Sequence, residues 1–79
     1  MKLMTPAQCR AARGLMNWTQ GFLAKASGVS DVTIRNFENE KTRLQPASVQ
    51  VIRSALENAG VIFVAENGEG PGVRLRKDR

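Results

Sequence analysis

Histidine and tyrosine are absent from this sequence of 79 residues, and cysteine occurs once, at position 9. A single cysteine excludes a disulfide bond within the chain, and without histidine the usual ligand sets for zinc are missing. We therefore expect no metal and no cofactor. Apolar neighbours on a predicted helix face favour Cys9 as a small buried hydrophobic residue over Cys9 as a reactive thiol.

Groups for catalysis are equally scarce. Without histidine or a paired acid cluster, serine and cysteine side chains have no general base. The glycine-rich stretch from Gly68 to Gly72 is predicted to join two strands, whereas a phosphate-binding loop leads into a helix. We predict that the chain is not an enzyme, and we expect no small-molecule ligand.

Long apolar runs are also lacking. None approaches the ~20 residues that a membrane helix needs, and the first residues do not resemble a secretion signal. We therefore expect a cytoplasmic, nucleoid-associated protein without membrane contact. What the chain does have is positive charge: Lys and Arg number 12 against 7 Asp and Glu, a net charge of +5 that favours acidic partners.

Capping signals and apolar spacing predict four short helices, over about residues 5–16, 19–26, 31–39 and 46–59. Thr5 with Gln8 forms a capping-box pattern around Pro6. Gly28 is predicted to end the second helix in the left-handed conformation, and Ser30 is predicted to cap the third. The length suits a single small core.

The pattern changes to that of strands after residue 60. Residues 61–65 are β-branched and aromatic, residues 73–76 alternate apolar and basic side chains, and Asn67-Gly68 is a turn signal between them. The predicted fold is mainly α, with a helical domain over residues 1–60, a β-hairpin over residues 61–76 and a tail over residues 77–79.

The most specific segment is W-T-Q-G-F-L-A-K-A-S-G-V-S-D-V-T-I-R-N-F-E-N, residues 18–39. Counted from Gln20, a small residue stands fifth, a glycine ninth and an isoleucine fifteenth. This segment resembles the helix-turn-helix motif, about residues 19–39, of phage-repressor and Cro-like regulators, the XRE family. With its flanking helices the resemblance covers about residues 5–56. The hairpin departs from the best-known phage repressors, which continue with another helix.

The resemblance implies a four-helix, lambda-repressor-like DNA-binding domain whose third helix, the recognition helix, enters the major groove of double-stranded DNA. Asp31 either accepts from a cytosine amino group or only stabilises the helix N-terminus, and Thr33 either contacts a base or supports the capped turn. The base-contacting residues that the resemblance implies are Asp31, Val32, Thr33, Arg35 and Asn36.

Phosphate contacts are expected at the two ends of the motif, from Thr19, Gln20, Asn39, Lys41 and Arg43. For Lys41 and Arg43 the alternative is a solvated loop. The resemblance also implies a structural ion pair between Arg13 and Glu38. Arg10, Lys25 and Arg53 are interpreted as solvated side chains.

Family members usually dimerise, so the resemblance implies a sequence-specific bacterial or phage transcription regulator, such as a repressor, that binds an inverted-repeat operator as a homodimer. We expect the hairpin to form the dimer interface through Val61, Phe63 and Leu75; alternatively, it only covers its own core. The alternative function is an antitoxin-like or adaptor module, in which the hairpin binds a protein partner and DNA binding is secondary.

Overall fold

The computed structural model describes residues 4–66 and 68–77, in the element order α1 (Pro6–Met16), α2 (Gln20–Ser27), α3 (Asp31–Glu38), α4 (Pro46–Ala59), β1 (Val61–Val64) and β2 (Gly72–Leu75). This confirms the predicted fold class of four helices followed by a hairpin. The predicted turn residue Asn67 and the last two residues of the predicted tail lie outside the described residues.

Each of the first three helices begins at a side-chain cap. The Thr5 hydroxyl accepts from the Gln8 amide at 3.0 Å, and the Gln8 side chain accepts from the Thr5 amide at 2.9 Å, which completes the predicted capping box. Thr19 caps α2 and Ser30 caps α3 in the same way. Such caps satisfy amide groups that no turn of the helix can pair.

Three of the four helices, α1, α2 and α4, end at left-handed residues. Gly28, with φ +80°, ends α2 as predicted, and Gly60, with φ +119°, ends α4. Asn17 adopts φ +61° at the end of α1, a conformation that asparagine tolerates better than most residues. The chain therefore turns within three residues between α1 and α2, and between α2 and α3.

The core lies between the four helices and one face of the hairpin. Its buried apolar side chains come from the residues before α1, from every helix and from β1: Met4, Cys9, Ala12, Leu23, Ile34, Phe37, Val49, Ile52, Leu56 and Val61. Burying each large aliphatic side chain contributes about 1.5–3 kcal/mol. Cys9 is buried as predicted. Within the described parts of the chain, no helix is long and apolar enough to cross a bilayer.

The hairpin strands are antiparallel, with Val61 opposite Leu75 and Phe63 opposite Val73. Each strand differs slightly from its predicted bounds, since β1 ends one residue early and β2 lies one residue earlier. Gln8, which caps α1, also donates from Nε2 to the carbonyl oxygens of Val64 at 3.3 Å and Gly72 at 2.9 Å. This amide fastens the loop end of the hairpin to the start of α1.

Candidate nucleic-acid interface

The outer face of α3 is the exposed, polar surface of the helix-turn-helix. Ile34, Phe37 and Glu38 are buried and fix the inner face of α3, whereas Asp31, Val32 and Arg35 are exposed. Thr33 and Asn36 are half-buried along its margin. All five residues predicted to contact bases thus lie on one short helix, and three of them are exposed.

The start of α3 is held rigidly by its cap. The Ser30 hydroxyl accepts from the Thr33 amide at 3.2 Å, and the two hydroxyl oxygens are 2.8 Å apart. The Thr33 side chain thus contacts the capped turn, and this contact is compatible with either of the two roles expected for it. Val32, next to this turn, is 48% exposed.

A buried carboxylate fixes α3 against α1 and α2. Glu38 is 1% exposed, and Arg13 donates to its two oxygens from Nε and Nη2, each at 2.7 Å. Gln20 donates to Oε1 at 3.0 Å, and Cys9 donates to Oε2 at 3.1 Å. The ion pair implied by the resemblance is therefore present. The donations from Gln20 and Cys9 were not anticipated.

The charges in this network stabilise one another. Burial acts to raise the pKa of Glu38, but hydrogen bonds from Arg13, Gln20 and Cys9 outweigh it and hold that pKa below its usual range. The same hydrogen bond to Glu38 raises the pKa of Arg13. Burial, followed by the contact with Glu38, raises the pKa of the Cys9 thiol above its usual range, so the thiol stays protonated and unreactive.

The predicted phosphate-contacting residues lie around this network. The bond between Gln20 and Glu38 brings the start of α2 to the end of α3, and Thr19 is exposed beside it. Asn39, Lys41 and Arg43 follow α3 directly and are all exposed. The Gln20 side chain is half-buried, and its amide nitrogen is already bonded to Glu38.

Two arginines interpreted as solvated have partners. Arg10 donates from Nη1 to the Glu38 carbonyl oxygen, which adds a second tie between α1 and the end of α3. Arg53 pairs with Glu57 at 2.9 Å and stacks over the Phe63 ring, 4.8 Å from its centroid. The spacing of four between Arg53 and Glu57 is visible in the sequence. The contact of Arg10 with a backbone oxygen 28 positions away has no sequence signal.

The residues predicted for the dimer interface differ in exposure. Val61 is 2% exposed and belongs to the core of its own chain, whereas Leu75 is 38% exposed. Phe63 is half-buried, with one side against the core. In the described residues no group of three or more cysteine, aspartate or glutamate side chains is placed to hold a metal ion.

A model of the helix-turn-helix family matches residues 10–58, which include α2, α3, most of α1 and nearly all of α4. No curated protein matches the chain. The matched span contains every residue predicted to contact bases or phosphates and ends before the hairpin.

Proposed function

The chain belongs to the helix-turn-helix family of Cro-like, DNA-binding transcription regulators, and from this premise we propose how it reads its operator. α3 lies in the major groove and contacts base edges through Asp31, Val32, Thr33, Arg35 and Asn36. Two copies bind the two halves of an inverted repeat, because one helix of eight residues covers only a few base pairs.

The observation that carries this proposal is the combination of a fixed inner face and a free outer face on α3. Glu38 anchors the helix to α1 and α2, while the outer side chains have no role in the core. Asn36 has the amide geometry that pairs with adenine, Arg35 suits guanine or phosphate, and the exposed Val32 suits a thymine methyl group.

Phosphate contacts position this helix. Backbone amides at the start of α2 bind one phosphate, and Thr19, Asn39, Lys41 and Arg43 bind others at the rim of the groove. The exposed acid Asp31 faces the same groove, where its carboxylate accepts a hydrogen bond from the amino group of a cytosine. A base that presents a carbonyl oxygen at that position repels the carboxylate, so DNA sites with such a base bind more weakly.

Selection of binding sites from a random duplex pool tests the proposal. Wild-type protein is expected to enrich an inverted repeat with half-sites about ten base pairs apart. Asn36→Ala is expected to weaken the base preference at one position in each half-site and to reduce the free energy of DNA binding by about 1–3 kcal/mol. Asn58→Ala, at an exposed asparagine on α4, is the matched control and should change neither the base preference nor the binding free energy.

Failure to enrich a motif, or a motif unchanged by Asn36→Ala, would contradict the proposed readout. In that case the search would turn to a protein partner, as expected of an antitoxin-like or adaptor module.

A further inference from the structure

Trp18 and Phe22 form an aromatic pair at the start of α2. Their ring centroids are 4.7 Å apart, and the rings meet edge to face at 63°. Trp18 is half-buried and packs against the core, whereas Phe22 is 50% exposed and lies outside it. Among the described residues, Phe22 is the only exposed aromatic side chain. The pair therefore presents an apolar surface to solvent, and Trp18 supports that surface from the side of the core.

The Phe22 ring lies at the N-terminal end of α2. Side chains on a helix lean toward its N-terminus, and the Phe22 ring accordingly contacts Trp18, which precedes the cap of α2 at Thr19. The Thr19 hydroxyl accepts from the Phe22 amide at 3.0 Å. The amides of Gln20 and Gly21 have no acceptor within the helix, and they point to the phosphate that the proposed function places there. The aromatic pair is thus continuous with this phosphate site.

The position of the pair is fixed relative to α3. Arg13 donates from Nη1 to the Trp18 carbonyl oxygen at 3.0 Å, and the Trp18 amide donates to the Arg13 carbonyl oxygen at 2.9 Å. The same guanidinium binds the Glu38 carboxylate at the end of α3. The place that α3 takes on DNA therefore determines where the two rings lie as well.

The charges of α1 and α2 also favour DNA as the occupant of this surface. The first acidic residue of the sequence is Asp31, so neither α1 nor α2 contains a carboxylate, whereas they contain Arg10, Arg13 and Lys25. Nothing on these two helices repels a chain of phosphates. Apolar deoxyribose faces alternate with phosphates along a DNA strand, and an apolar ring beside a phosphate site matches that alternation.

We propose that the exposed face of Phe22, supported by Trp18, packs on a deoxyribose of the DNA backbone, next to the phosphate bound at the start of α2. This rests on the proposed function, because it adds a sugar contact to that phosphate contact. Sugar contacts hold no sequence information. The aromatic pair therefore positions α3 in the groove and strengthens binding to any duplex, while α3 selects the bases.

Titration of two labelled duplexes, the selected operator and a random sequence, tests the contact. Phe22→Ala should raise the dissociation constant for both duplexes at least about fivefold, because the apolar area of the ring is no longer buried. Phe22→Leu keeps an apolar side chain and should raise it less. Val51→Ala, at an exposed valine on α4, is the matched control and should change neither constant. Unchanged constants for Phe22→Ala would overturn the proposal.

The salt dependence of the same titrations separates an apolar contact from an electrostatic one. Counterion release depends on the number of phosphate contacts. Phe22→Ala should therefore lower the binding constant at every salt concentration and leave the slope against the logarithm of salt concentration unchanged. A shallower slope would show that the substitution disturbs the phosphate site, and it would overturn the sugar contact.

Fluorescence of the wild-type chain tests the contact without a substitution. Trp18 is the only tryptophan, so quenching by acrylamide reports the accessibility of this pair alone. Bound duplex should lower the quenching constant, and an unchanged or higher constant would overturn the proposal. Site selection would still yield a motif that depends on Asn36 if only the ring contact were wrong. Failure of this contact is therefore distinguishable from failure of the proposed base contacts.

Discussion

Glu38 connects three helices through one carboxylate, and its removal should loosen the whole helix-turn-helix. Glu38→Gln keeps the shape but leaves the guanidinium of Arg13 without its ionic partner. We expect the free energy of unfolding at pH 7 to fall by about 2–3 kcal/mol, below the range for fully buried pairs, since Arg13 is 19% exposed. Urea denaturation measures this loss. Glu57→Gln, in the more exposed pair with Arg53, should lower the free energy of unfolding by less than about 1 kcal/mol. An equal loss in Glu38→Gln and Glu57→Gln would contradict the special role of Glu38.

The same carboxylate gives stability a pH dependence of known sign. Because the pKa of Glu38 is lower in the folded chain than in the unfolded chain, the unfolded chain takes up the proton first. The stabilisation is complete above the unfolded pKa of about 4.3, and it is lost as the pH falls through the folded pKa. Urea denaturation between pH 7 and pH 3 should show a smaller loss for Glu38→Gln than for wild type. An equal loss of unfolding free energy in wild type and in Glu38→Gln over this pH range would show that Glu38 is not the group responsible.

At the scale of elements, two glycines should respond oppositely to the same substitution. Gly28 ends α2 at φ +80°, and an added Cβ would meet no atom within 4 Å, so Gly28→Ala suffers only backbone strain of about 1–2 kcal/mol. Gly14 lies within α1 with open space around it, so Gly14→Ala should stabilise by about 0.5–1 kcal/mol. Thermal unfolding of both variants shows whether each substitution raises or lowers the stability of the chain. Stabilisation by Gly28→Ala would show that the left-handed end of α2 is not required.

The elements themselves were predictable because their signals are local. Thr5, Ser30 and Gly28 act on residues within one turn of themselves, and each was identified from the sequence with its role. The contacts of Gln8 with the hairpin carbonyls and of Gln20 with Glu38 were missed, since they join positions 18 to 64 residues apart. Apolar alternation likewise marked Val61 as a strand residue but did not tell which face of the sheet meets the core.

At the scale of the whole molecule, the hairpin is attached to the helical domain at two places. Gln8 connects them at one end of the hairpin, and Arg76 connects them at the other by donating to the Glu57 carbonyl oxygen at 3.0 Å. Both ends of the hairpin are therefore fastened to the helical domain, one end to α1, which packs against α3, and the other end to α4.

The net charge of +5 should appear in binding only through those cations that lie beside the DNA. Each phosphate contact releases counterions, so the logarithm of the binding constant falls with the logarithm of salt concentration by about 0.9 per contact. Lys41→Gln should therefore make the slope shallower by about 0.9 per protomer and leave the selected motif unchanged. Lys25→Gln removes the same charge from an exposed position in the last turn of α2 and should leave the slope nearly unaltered. Titration of a labelled operator at several salt concentrations measures both slopes. Equal changes in the two variants would mean that DNA senses the overall field of the protein, and that Lys41 makes no phosphate contact of its own.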